Sequence, residues 1–208
     1  MTKLVDEPRP AERLPHPGAP VVLDLRPIID LTDEQFYELC RTNHELRFER
    51  TAEGEILIMP PTGSRTGQRN FTLTTLFGIW VRQDGTGIGF DSSTAFKLPN
   101  GATRSPDASW IKRERWDALN AEEKEKFSPI CPDFVIELRS STDSLAELQA
   151  KMREYIVNGV RLGWLLDPKE QTAYVYRPGA EVEVIIHAQE ISGEPELAGF
   201  TLNLLDIW

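Results

Sequence analysis

The sequence predicts a mixed α/β (α+β) fold, a central mixed β-sheet flanked by helices with extra strands towards both ends. Three observations carry that expectation. Short runs rich in Val, Ile, Phe, Trp and Tyr, bounded by Gly, Pro and Asn, recur through the middle and C-terminal parts of the chain. Other stretches place their apolar residues at helical spacing. The 208 residues, 40% of them hydrophobic and five of them tryptophan, suffice for one substantial core. Residues 1–20, dense in Pro and charge ("DEPRPAERLPHPGAP"), are expected to form a flexible tail, and residues 21–208 a single domain.

The elements follow in order. "LTDEQFYELCRTN" predicts a helix capped by Thr32 or Asp33, with Phe36, Leu39 and Cys40 on one side. "LRFERTAEGEILIMPP" reads as two strands around a Gly-containing turn, with a proline stop. Apolar residues at 73, 76, 77 and 80 predict a second helix over "TGQRNFTLTTLFGIWVRQ". "GIGFDSSTAFKLPNGATRSPDASWI" reads as strand, turn, strand, with "LPNGAT" as the turn. "KRERWDALNAEEKEKF" is charged enough for a surface helix or loop, and "DFVIEL" is a short buried strand. A helix over roughly 143–158 comes next, opened by a capping box at Ser144 and Glu147 and stopped by Gly159. "GVRLGWLLD", "TAYVYRP" and "EVEVIIH" supply three more strands, the last two a hairpin across "PGA".

Charge and composition bound the function. A net charge of −10 argues against avid nucleic-acid binding, which normally needs a basic footprint. The charge is uneven, however. Residues 56–106 hold five bases (Arg65, Arg69, Arg82, Lys97, Arg104) and two acids, whereas residues 178–208 hold six acids and no base. Cys40 and Cys131 stand apart and read as reduced thiols. With no signal-peptide pattern and no run near the roughly 20 apolar residues of a membrane helix, the expectation is a soluble, cytoplasmic protein with no membrane partner.

Two Pro-Asp pairs, in "SPDASW" and "PDFVIELR", place carboxylates on strands that read as buried, where a charge is expensive unless paired. By strand alternation Asp133, Val135, Glu137 and Arg139 share a face. Asp133 is four residues from Glu137, roughly 13 Å along a strand, too far to share an ion, and is assigned a structural role. If the strands of Asp107 and Glu137 are neighbours, those two carboxylates meet at one end. On the helix after "DFVIEL", Leu145, Leu148, Met152, Tyr155 and Ile156 form the apolar stripe, and Lys151 falls at its border. Taken singly, each residue has a plainer reading. Asp107 suits the start of a strand, Glu137 a partner for Arg139, and Lys151 a snorkelling lysine.

"RSPDASWI" followed by "CPDFVIELRSSTDSLAELQAKMREYIVNGVRLGWLLDPKEQTAYVYRP" resembles the PD-(D/E)xK nuclease superfamily. The resemblance is strongest to its bacterial branch of restriction-endonuclease-like domains, long catalogued as a domain of unknown function, and it covers roughly residues 27–208. It implies a restriction-endonuclease-like core. It also implies a strand aspartate at Asp107, a second metal-binding acid at Glu137, and a lysine displaced onto the following helix at Lys151. Arg139 stands where the superfamily pattern has its lysine, and Glu49 matches a further acid, as ligand or orienting group. The chain departs from the branch in "SRTGQRN", where Gln68 and no histidine precedes the second helix.

What the resemblance implies chemically is an endonuclease dependent on Mg²⁺ or Mn²⁺. Asp107, Glu137 and a backbone carbonyl, that of Leu138, would hold the ion. Lys151 would position or help deprotonate water, or stabilise the phosphorane, and Arg139 would clamp phosphate. Arg65, Arg69, Lys97 and Arg104 would track the backbone of a nucleic acid, expected to be DNA. Duplex cleavage would call for a homodimer, since two nicks need two sites. Two alternatives stand beside this reading. One is a nucleic-acid-binding module that keeps the fold without catalysis, which the acidic charge and the missing histidine favour. The other is a protein-interaction domain using Trp80, Trp110, Trp116 and Trp164.

Overall fold

Residues 19–208 are described in a computed structural model of the chain; the expected tail falls almost wholly on residues 1–18, which lie outside the described residues. In chain order the elements begin with β1 (Val21–Leu23), α1 (Asp33–Thr42), β2 (Arg47–Arg50), β3 (Ile56–Met59) and α2 (Ser64–Asp84). There follow β4 (Gly87–Asp91), β5 (Phe96–Lys97), β6 (Thr103–Arg104), β7 (Ala108–Lys112), α3 (Arg113–Asp117), α4 (Ala121–Glu125) and β8 (Phe134–Leu138). The chain continues through α5 (Leu145–Val157), β9 (Leu162–Asp167), β10 (Thr172–Tyr176) and β11 (Glu183–Ile186), and closes with β12 (Glu190–Ser192), β13 (Thr201–Asn203) and a 3₁₀ turn at Leu204–Asp206.

The larger sheet has the order β11-β10-β9-β8-β7-β4. It is mixed, with β8 and β9 parallel and the other neighbours antiparallel. The parallel pair needs a crossover, and α5 supplies it. Strand β8 reads as a nearly unbroken apolar run because both of its faces are covered. On one face Val135 joins Met152, Tyr155 and Leu165 under α5. On the other, Phe134, Ile136 and Leu138 join Leu73 and Phe77 of α2 and Phe200, Leu202 and Leu204 near the C-terminus. All five β8 residues are buried, and each large apolar side chain so placed contributes about 1.5–3 kcal/mol.

Side-chain caps open α1, α4 and α5. Thr32 opens α1 with a full capping box to Gln35, and Ser144 accepts from the Glu147 N–H to open α5. Gly159, at φ 115°, turns the chain out of α5 in a conformation other residues resist.

A second sheet, β1-β3-β2-β6-β5, is antiparallel throughout. Here the structure differs from the strand–turn–strand expected over 87–111. The "LPNGAT" turn does form a hairpin, β5–β6, but that hairpin belongs to the smaller sheet, while β4 and β7 pair with each other in the larger one. The chain therefore crosses between sheets at Ser105-Pro106-Asp107. Pro106 lacks an N–H and cannot extend either ladder, so the crossing falls on it. The charged stretch after β7 folds as two short exposed helices, α3 and α4. No described helix is long and apolar enough to cross a membrane.

The tryptophans are largely structural. Trp110 and Trp164 are buried in the core, and Trp80 and Trp116 pack against it.

Candidate functional site

The seam where the two sheets and α5 meet is a cleft of about 260 Å³. Its lining includes Arg47 and Glu49 from β2, Asn70 from α2, Asp107 at the crossing, Glu137 from β8 and Lys151 from α5. Each arrives there for a local reason. The antiparallel β7–β8 register ends at Ala108↔Ile136, so the next position sets Asp107 opposite Glu137. Directly opposed residues share a face, with Cβ atoms about 5 Å apart. Beyond the last pair, the Leu138 N–H donates to Asp107 Oδ2 (2.8 Å). The acids thus meet at one end of neighbouring strands, as expected, and those strands lie inside the sheet rather than at its edge. The reason is that β9, β10 and β11 extend the sheet past β8, and β4 extends it past β7.

Lys151 does not snorkel. Its ammonium lies 2.9 Å from Glu49 Oε1 and 2.9 Å from Glu137 Oε1, with the side chain only 13% exposed. One turn further along α5, the Tyr155 hydroxyl donates to Glu137 Oε1 (2.9 Å). Glu49 also accepts from Arg104 (3.2 Å) and from the Ser105 N–H (3.0 Å), and Arg104 is clamped in turn by Glu154 (2.6 Å). Glu49 and Glu137 are each 4% exposed, whereas Asp107 is partly exposed at the cleft floor.

The electrostatics follow from burial and from who faces whom. Burial pushes the Glu137 carboxyl up to about 7; Lys151 opposes this, and the charges of Asp107 and Glu49 add to it. Burial also raises Asp107, with the Leu138 N–H working against it. Burial alone would raise Glu49, but Lys151 and Arg104 hold it below the usual range. Lys151 is buried too, which disfavours its charge, yet Glu137 and Glu49 hold it firmly protonated.

Among the described residues no three His, Cys, Asp or Glu side chains converge closely enough to hold an ion by themselves. A cation here would rest on the facing pair Asp107 and Glu137 and complete its shell with backbone carbonyl and water. The residues present fit that demand, because Mg²⁺ keeps several waters and uses only one or two carboxylates. Two carboxyls held above their ordinary range beside each other are also what a divalent charge would relieve.

The other expected residues lie elsewhere. Arg139 does not line the cleft: Nη1 bonds the fully buried Asp167 (2.6 Å), and Nε donates to the Asp143 carbonyl. Lys97 pairs with Asp33, which also holds Arg50. Arg104 is inside the cluster, bound to two carboxylates rather than facing solvent. Arg65 is exposed and Arg69 partly so, in the first turns of α2. Gln68 is exposed as well, and α2 sends Thr66 and Asn70 into the cleft, Asn70 reaching Asp107. Sequence reasoning misses Asn70, Arg47 and Tyr155. Strand alternation with Glu49 would flag Arg47, and the four-residue step from Lys151 would flag Tyr155. Nothing local marks Asn70, since α2 covers the opposite face of the sheet.

With this geometry in place, the comparisons decide the family. Residues 33–205 match the Uma2 family, described as "Putative restriction endonuclease". The chain belongs to the Uma2 family. Among solved structures, a protein from Anabaena variabilis ATCC 29413, described as "a putative nuclease belonging to DUF820", is similar. It has 23% identity and a TM-score of 0.70 over 85% of this chain and 97% of that one, a likeness of fold. No curated protein matches the chain. The restriction-endonuclease-like core that the resemblance implies is thus the fold of this Uma2 member.

Proposed function

We propose that the protein is a divalent-metal-dependent endonuclease that hydrolyses phosphodiester bonds of nucleic acid, with DNA as substrate. The observation that carries this reading is the meeting of Asp107, Glu137 and Lys151 in one cleft, reached from three different elements of a Uma2-family fold. Asp107, Glu137 and the Leu138 carbonyl would hold Mg²⁺ or Mn²⁺. Once bound, the ion neutralises charge on the phosphate and lowers the pKa of a water. Because Glu49 and Glu137 keep Lys151 charged, its role is to donate hydrogen bonds and stabilise charge on the pentacovalent phosphate, not to act as base. Glu49 orients that ammonium, and Tyr155 does the same for Glu137.

Substrate contact falls to Arg47. It stands at the cleft wall, two residues from Glu49 on the same strand face, and its side chain makes no ion pair among the described residues; the guanidinium donates to the Ser92 carbonyl. A guanidinium in that position suits a phosphate. Arg65 and Arg69 would extend the track, whereas Arg104 and Arg139 are engaged with buried carboxylates and Lys97 with the half-exposed Asp33. A homodimer of this cytoplasmic protein would supply the two sites that duplex cleavage needs.

A non-catalytic nucleic-acid-binding module remains the second reading, favoured by the net charge of −10 and by Gln68 in place of a histidine. Nicking of supercoiled plasmid in Mg²⁺ or Mn²⁺ separates the two. The expected result is metal-dependent nicking lost in both Glu137→Ala and Lys151→Ala while both proteins stay folded. Salt-dependent DNA binding without nicking in either metal would transfer the assignment to the binding module.

A further inference from the structure

One polar atom beside the acids has no partner. Asn70 Nδ2 donates to Asp107 Oδ1 (3.3 Å), while Asn70 Oδ1 is closed off from bulk solvent and accepts no hydrogen bond among the described residues. A buried acceptor left unsatisfied costs about 1–3 kcal/mol. Turning the amide over is no remedy, because its oxygen would then face the Asp107 carboxylate. The donors that hold the acids serve those acids rather than Asn70: Lys151 bonds Glu49 and Glu137, Tyr155 bonds Glu137, and the Leu138 N–H bonds Asp107. If the only task at position 70 were to brace Asp107, a side chain with a donor alone would do it without the orphaned oxygen.

We infer that Asn70 is a positioning residue for the cation of the proposed site. Its Nδ2 sets the Asp107 carboxylate, and its Oδ1 accepts a hydrogen bond from a water that the cation retains. The chemistry favours an amide here. A Mg²⁺ or Mn²⁺ ion held by only two carboxylates keeps several waters, and their hydrogens need acceptors. Glu137 and Asp107 already repel each other, and Glu49 adds a third acid. A neutral oxygen therefore accepts without increasing that repulsion. Partners of this kind orient metal ligands, and their loss typically weakens metal binding tenfold to a hundredfold.

This inference rests on the metal reading of Asp107 and Glu137, and one titration tests both separately. Mn²⁺ binding, followed by its electron paramagnetic resonance signal, is measured for wild type, Glu137→Ala, Asn70→Leu, Asn70→Ala and Asn70→Asp, together with metal-free melting temperatures. Expected is Mn²⁺ binding weakened about tenfold to a hundredfold in Asn70→Leu, with metal-free stability close to wild type because removal of the orphaned oxygen offsets loss of the Nδ2 bond to Asp107. Asn70→Ala should weaken binding similarly, and it keeps the test open if leucine does not fold. Asn70→Asp retains the acceptor and should bind within about tenfold of wild type. Unchanged Mn²⁺ affinity in the leucine and alanine variants overturns the inference and leaves the metal site standing. Equal losses in the aspartate and leucine variants overturn the acceptor role. No Mn²⁺ binding by wild type, or binding that Glu137→Ala leaves intact, overturns the metal site and the inference together.

Discussion

The chain contains two Pro-Asp pairs at the starts of neighbouring strands, and the structure uses them in opposite ways. Asp133 lies at the end of β8 remote from Glu137. Its Oδ1 pairs with Arg115 (2.9 Å), and its Oδ2 accepts from the Lys112 N–H (2.9 Å). Its backbone carbonyl also accepts from Arg161 and Leu162, so the residue ties β7, β8 and the start of β9 together. Asp107 has the same local sequence, yet its two donors are neutral, an amide side chain and a backbone N–H. It faces a cleft, and across the strand pair stands another buried acid. A carboxylate with a cation is a brace. A carboxylate with no cation in direct contact, set beside a second whose pKa it raises, is open to a further cation, and that distinguishes Asp107 from Asp133 here.

The largest effect should come from removing one charge at each aspartate. Asp107→Asn is expected to slow metal-dependent nicking about a thousandfold or more, about 4 kcal/mol of transition-state stabilisation. Asp133→Asn should leave the rate per folded molecule unchanged and cost about 1–3 kcal/mol in urea denaturation, because the buried bond to a charged partner is lost. Similar activity losses in the two variants would break the contrast.

The pH dependence of metal-free stability is a second, smaller effect. Glu137 has an ordinary carboxyl value of 4.5 that burial pushes up to about 7. A carboxyl raised in the folded state binds its proton more tightly folded than unfolded. Its stabilising contribution is therefore present at low pH, declines as pH rises from about 4.5 to about 7, and is constant above that. Over this window the melting temperature of wild type should fall relative to that of Glu137→Gln. Parallel curves would show that Glu137 meets no unusual demand. Arg47→Ala should give the smallest effect. Nucleic-acid binding weakens, and the slope of log affinity against log salt becomes shallower by about 0.7 to 0.9, the contribution of one phosphate contact. An unchanged slope would remove Arg47 from the substrate path.

Much of the fold and part of the site are legible in the residues themselves. Periodicity locates α1, α2 and α5 and the strands from β7 to β11, because an amphipathic helix or a doubly covered strand writes its burial into local composition. Short edge elements such as β1, β12 and β13 escape it, since three residues carry too little pattern to stand out. Spacing alone puts Lys151 at the border of the α5 stripe, and it is there that Glu49 and Glu137 meet it.

By itself the sequence determined that this is a mixed α/β protein, that Glu137 lies on a buried strand with Asp107 at the entry to another, and that Lys151 belongs at the rim of a core. Those properties are local, set by strand alternation and helical periodicity. Only the tertiary structure decided which charges are available. Arg139, Lys97 and Arg104 look equally cationic in the sequence, but Asp167, Asp33, Glu49 and Glu154 claim them from distant parts of the chain. Arg47 and Asn70 come to the cleft because the chain changes sheets at Pro106 and α2 reaches around from the far face. A side chain's charge is written in its residue type; whether that charge is already neutralised depends on partners that no local pattern encodes.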